Sequence, residues 1–306
     1  MSRAAPPGLD RRLAGAAQRG VRPALLSPSN RRTRAAVGRA LVFACAVALS
    51  AVFALPLLWM ISTSLKADPE LFATPPVWVP HQPQWGNYPA AFSYIPYFHY
   101  MGNTLFIAAL VLVGALFSCA FVAYGFARLS WPGRNALFIV VLATMMLPYQ
   151  VTMIPLFVVF RQLGWLNTYA PLIVPSYFGN AFYIFLLRQF FMTIPHELSD
   201  AARIDGCGEV GIFRRILLPL AKPALATVAI FQFLGSWNDF IGPLIYLNNE
   251  SLYTLALGLS QYQQLHTTEW TMLMAASTTM TLPVIVIFFL AQKHFVRGIV
   301  LTGMKG

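Results

Sequence analysis

Six apolar stretches decide what this chain can fold into. They run at about 40–63, 104–127, 136–160, 170–190, 223–247 and 272–291 and hold almost no charge. Each matches the roughly 20 residues with which a helix, rising about 1.5 Å per residue, crosses a hydrocarbon core about 30 Å thick. Backbone N–H and C=O groups find no water at that depth, so each stretch must be helical. An all-α polytopic membrane protein with six transmembrane helices is expected. Only 10% of the 306 residues are charged, against about a quarter in soluble domains, which excludes an ordinary cytoplasmic enzyme. Aromatics at 14% argue equally against disorder. The three cysteines, Cys45, Cys119 and Cys207, show no C-x-x-C spacing, so no disulfide framework is indicated.

The 21 Lys and Arg against 10 Asp and Glu give a net charge of +11. All but Lys66 and Arg161 fall in the N-terminal tail, in the loops after the second and fourth apolar stretches, or after the sixth. Cationic loops stay on the cytoplasmic side, so both termini are expected there. The charge is then a topology signal and gives no reason to invoke nucleic acid. Residues 1–38 are rich in Arg, Pro, Ala and Ser without apolar periodicity and are expected to be a disordered cytoplasmic tail. One membrane domain follows over 39–306. A signal peptide ending near 51–54 competes with this reading, but the apolar run continues through Pro56 to Met60, which favours an anchor. Arg31-Arg32 lacks the Phe-Leu that a twin-arginine signal would show.

The loop at 64–103 carries Trp78, Trp85, Tyr88, Phe92, Tyr94, Tyr97, Phe98 and Tyr100. An interfacial belt is the simpler reading, and a docking surface the sharper one. Between the fourth and fifth stretches, 194–219 reads as a helix–turn–helix elbow. Pro195 suits a first helical turn, Glu197 and Asp200 complement the dipole there, and Gly206 can close the helix in a left-handed conformation. Ala201 and Ala202 form a small-residue corner. Ile212, Phe213, Ile216 and Leu217 give the second half an apolar side before Pro219 and Pro223. Composition alone leaves a coupling device and an amphipathic segment packed on its own bundle about even.

The spacing Asp200-Ala201-Ala202, three residues, Gly206, nine residues, Ile216-x-Leu218-Pro219 resembles the EAA loop of binding-protein-dependent ABC importer permeases. Asp200 stands where that family usually has Glu, and Cys207 where Ala is common. Phe231-Gln-Phe-Leu-Gly-Ser-Trp-Asn-Asp-Phe240 and the ending from Gln292 to Gly306 are similar to the carbohydrate-uptake branch, as are Asn87-Tyr88, Ala91-Phe92 and Asn103-Thr104. The resemblance spans roughly 40–306 and points to the second, six-helix permease of the maltose-transporter type. It implies a MetI-like fold and a permease subunit of an ATP-driven importer for a sugar or small oligosaccharide, in a bacterial-type inner membrane. It also implies two copies of a partner ABC ATPase holding ATP and Mg, a second permease that is a distinct chain, and an extracytoplasmic solute-binding protein. The residues it implicates in coupling to the ATPase are Glu197, Asp200, Ala201, Ala202, Asp205, Gly206, Ile216, Leu218 and Pro219.

The chain itself is not expected to be an enzyme or to carry a cofactor. No lysine follows a glycine, so there is no P-loop. His81, His99, His196, His266 and His294 are scattered without H-E-x-x-H, so no metal site is expected. Asp239, about 24 Å along a helix starting at Pro223, is the one acid well inside an expected span. With Gln232, Trp237 and Asn238 it is a candidate lining of the translocation path. The competing reading has Asp239 and Asn238 pairing with backbone on a neighbouring helix or partner subunit. Tyr149, Gln150 and Asn180 are further polar positions within spans, and Pro148, Pro155, Pro175, Pro243 and Pro283 should kink or interrupt their helices. An ion-coupled secondary transporter of a small polar solute is the rival function. It would normally place several acids or histidines near the midplane, and it leaves the elbow without a task.

Overall fold

The computed structural model describes residues 28–263 and 268–303. Among them every named element is helical and the sole β feature is an isolated bridge between Gln263 and Thr268. The chain divides into two compact units, 1–56 and 57–306. Helix α1, Pro28–Ser64, makes up the described part of the first and continues into the second. The tail expected over 1–38 lies outside the described residues as far as 27. From Pro28 to 38 the chain instead forms the opening turns of α1, where Arg and Ala are good helix formers. Apolar side chains such as Val42, Phe43 and Phe53 stand exposed along α1, as lipid-facing positions would.

The second unit is built round α3 (Tyr97–Arg128), which follows the short helix α2 (Asn87–Tyr94). Small residues along α3, among them Ala108, Ala115, Cys119, Ala120 and Ala123, are buried and let neighbouring helices approach closely. At Gly114 a Cβ would lie 2.5 Å from the Tyr177 ring, so only glycine fits there. Against α3 pack α6 (Ala181–Thr193) and α9 (Lys222–Trp237).

Four stretches are long and apolar enough to cross a membrane unbroken: Ala36–Ser64, Tyr97–Arg128, Ala170–Thr193 and Trp270–Leu290. Two sharply bent pairs, Arg134–Thr144 with Tyr149–Gln162 and Glu209–Leu220 with Lys222–Trp237, bring the number to as many as six if each pair is one span. Helices α4 (Arg134–Thr144) and α5 (Tyr149–Gln162), expected as one span over 136–160, meet at 95°. Pro148 explains the break, since it lacks an N–H and disfavours helix at Leu147. The expected span 170–190 begins as a short helix and a 3-10 turn, Val174–Phe178, before Gly179 and α6. The span expected at 223–247 is likewise interrupted after Trp237 and resumes as α10 (Ile241–Tyr246). The last helix, α11, covers Trp270–Gly303 with Pro283 inside it.

The aromatic loop answers to neither sequence reading as a whole. Tyr97 and Tyr100 are 1% exposed and join α2, α11 and Trp237 in one apolar cluster. Their hydroxyls donate to Ala276 O and Gln261 Oε1. Trp78 and Trp85 remain exposed. Lys66 is also buried, with its ammonium 3.7 Å from the Trp59 ring centroid, a desolvated cation–π contact.

Candidate functional site: the elbow and the cavity beside Asp239

The elbow's first helix, α7, is Glu197–Ile204. It closes at Gly206, whose φ of +80° suits glycine. Gly206 N–H donates to Arg203 O and Cys207 N–H to Ala202 O, the paired bonds of a Schellman cap. The second helix, α8 (Glu209–Ile212), passes into a π-helical turn at Phe213–Leu217. Pro219 accounts for that turn, because a proline removes the N–H owed to Arg215 O and crowds that carbonyl. Leu218 N–H accordingly reaches back five residues to Phe213 O.

Burial divides the coupling candidates. Ala202 is buried, and Ile216 and Leu218 are half-buried in the apolar cluster that α3, α6 and α9 share. Ile212 and Leu217, 0% exposed, anchor the elbow there. Glu197, Asp200, Ala201, Asp205, Gly206 and Pro219 are exposed. Ile204 at 87% and Val210 at 73% exposed stand beside them. A sequence pattern of small and acidic residues thus becomes an apolar tip on a buried base.

Polar contacts fasten this elbow to α3. Arg203 donates from Nη1 to Asp200 Oδ1 at 2.7 Å and from Nε to Glu209 Oε1 at 2.8 Å. The Tyr124 hydroxyl on α3 donates to the other Glu209 oxygen. Arg128, also on α3 and 7% exposed, donates to Ile194 O. The Arg203 guanidinium, then the Tyr124 hydroxyl, hold the Glu209 carboxyl below the usual glutamate range. The roles of Arg203, Glu209 and Tyr124 were missed from sequence. Glu209 opening a helix was the available signal, while its partner on α3 is 85 residues away.

Of the four path candidates Asp239 lines a cavity beside the break between α9 and α10. That cavity measures about 450 Å³ and is walled by Tyr149, Phe160, Pro171, Tyr246 and neighbouring apolar side chains. Asp239 Oδ1 accepts from Gly242 N–H at 3.1 Å, so its carboxylate is held by its own chain at the break between α9 and α10. Asn238 Nδ2 likewise donates to Leu234 O. Trp237 is buried and donates to Met280 O, tying α9 to α11, and Gln232 donates to Ser236 Oγ. Asn180 caps α6 by accepting from Phe182 and Tyr183 N–H, a helix-terminus role. Tyr246 was not singled out from sequence, although seven residues from Asp239 is a same-face spacing on a helix. Among the described residues no group of three His, Cys, Asp or Glu could hold a metal ion.

Residues 117–301, from mid-α3 through the elbow into α11, match the family described as binding-protein-dependent transport system inner membrane component. The chain belongs to that family. The permease AraQ of an arabinooligosaccharide transport system in Bacillus subtilis (strain 168) is 39% identical over 210 residues, 69% of this chain and 74% of that one. The sulfoquinovosyl glycerol transport permease SmoH of Agrobacterium fabrum is 32% identical, covering 88% of this chain and 95% of its own. A crystal structure of a bacterial ABC transporter involved in import of the polysaccharide alginate superposes with a TM-score of 0.74 at 26% identity, over 88% of this chain and 98% of that chain. As an inner membrane transport component, this permease is not an enzyme. Membership of a binding-protein-dependent family also sets aside the ion-coupled transporter weighed from sequence.

Proposed function

We propose that this permease forms half of the translocation path of an ATP-driven importer for a sugar or small oligosaccharide. The carbohydrate names of its relatives support the substrate class. A second, distinct permease supplies the other half, and an extracytoplasmic binding protein delivers the solute. Two ABC ATPase subunits, carrying ATP and Mg, drive the cycle from the cytoplasmic face of a bacterial cell membrane, where the elbow and both termini lie.

The observation that carries this reading is the elbow. Its tip presents Ala201, Asp205 and Gly206 with exposed Ile204 and Val210, while its base is buried in the bundle. An exposed apolar tip rimmed by charge is a docking surface, and Asp200 and Glu197 add acidic groups for a basic rim. Tyr149, Tyr246 and Asp239 give the cavity aromatic faces and hydrogen-bonding groups suited to a sugar ring, and we place it on the path.

The test is recovery of partners with the tagged chain from its native membrane in mild detergent. A P-loop ATPase and a second permease are expected to come with it, and emergence alone would overturn the reading. Gly206→Pro cannot keep φ at +80° and loses the capping N–H. It is expected to insert normally but lose the ATPase, whereas Gly206→Ala pays only about 1–2 kcal/mol for the left-handed conformation and keeps most of it. Full ATPase recovery with Gly206→Pro would count against the elbow as the docking element.

A further inference from the structure

Both halves of the elbow are tied to one face of one transmembrane helix. Tyr124 and Arg128 are four residues apart on α3 and so lie one above the other. Arg128 holds the carbonyl of Ile194, where the elbow begins, and Tyr124 holds Glu209, where the second helix begins. Arg203 joins the same Glu209 to Asp200 on α7. Phe213 then packs on the Tyr124 ring at 5.2 Å. Glu209 therefore touches α3 directly and α7 through Arg203. Tyr124 is 4% exposed, so this bond anchors the partly exposed Glu209 side chain to a residue packed inside the bundle.

We infer that Glu209 is a positioning residue for transport, a latch through which movement of the coupling helix α7 reaches transmembrane helix α3 by way of Tyr124. This rests on the elbow being the element that receives the ATPase. Apolar packing of Ile212 and Leu217 holds the elbow against the bundle, but contacts of that kind carry no direction and let surfaces slide. The bonds at Glu209 fix register between α7 and α3. When the ATPase pulls the tip, α3 must follow, and α3 is the helix against which α6 and α9 pack.

The experiment uses the complete importer in liposomes, with its own cysteines replaced, and ATP plus vanadate as the probe, so no solute need be known. One reporter cysteine replaces exposed Arg214 on the elbow, and another replaces Ser130, exposed just beyond the end of α3 at Arg128. Maleimide labelling rates at both sites are expected to change when ATP plus vanadate is added. Tyr124→Phe and Glu209→Ala should each leave subunit assembly, ATP hydrolysis and the Arg214→Cys response intact. The Ser130→Cys response should become roughly tenfold smaller, the scale of losing one hydrogen bond to a charged group. Glu209→Gln, which still accepts from Tyr124, should restore most of it, which a loss of mere stability would not predict. The double variant should be no worse than Glu209→Ala. An undiminished Ser130→Cys response in both single variants, or none in the parent while Arg214→Cys responds, would overturn the latch. Silence at Arg214→Cys in the parent would instead overturn the elbow reading beneath it.

Discussion

At the scale of single residues, two glycines separate packing from propensity. Gly242 is buried in α10, where a Cβ would lie 2.5 Å from Asp239 Oδ2 and 3.0 Å from Leu172 Cδ2. Gly235 is exposed within α9 and a Cβ there meets nothing within 4 Å. Alanine in a helix gains about 0.5–1 kcal/mol over glycine, but overpacking costs about 1–3 kcal/mol. Gly235→Ala should therefore raise the melting temperature in detergent and Gly242→Ala lower it. A rise for Gly242→Ala would mean that the Asp239 carboxylate moves aside freely. Lys66 makes the related point about charge. As letters it is a lone cation in a loop, yet Asn87 Nδ2 bonds its carbonyl and Trp59 covers its ammonium, and neither partner is adjacent in sequence.

At the scale of elements, the elbow is a unit whose ion pairs respond to pH. Glu209 is held below its ordinary range in the folded chain, chiefly by Arg203. A carboxylate with a depressed folded pKa adds stability that is present above its unfolded value and is lost as pH falls through the folded one. The advantage of the wild type over Glu209→Gln should thus stay constant from pH 7 down to about 5. It should fade only below the free glutamate value of about 4.3, as read by detergent melting curves at successive pH. A difference that disappeared near pH 6 would show that another group controls the pair. The broken helices also belong to this scale. Pro148 marks the α4–α5 corner in the sequence, but a proline inside a helix, as at Pro155 and Pro283, leaves α5 and α11 intact. Neighbouring helices re-satisfy freed backbone groups in one setting and not in another.

At the scale of the molecule, we propose from the cation pattern that the elbow lies inside and the loop at 64–103 outside. A cysteine at His81→Cys should react with an impermeant maleimide in intact cells, and one at Arg215→Cys only after permeabilisation, with the native cysteines replaced. The reverse pattern would overturn the orientation. Hydrophobic runs long enough for a bilayer, with no solvent for their backbone, sufficed to specify an all-α membrane chain. The spacing from Asp200 to Pro219 sufficed for the family. Those are local properties, since a helix satisfies its own hydrogen bonds and the elbow's motif is contiguous. What the sequence left open depends on residues far apart in it: the burial of Tyr97 and Tyr100, the pairing of Trp237 with Met280, the Asp239 cavity and the Tyr124–Glu209 contact. Only the packing of helices distant in sequence decides these, because a hydrogen bond or a cavity wall needs two surfaces and each stretch of sequence describes one.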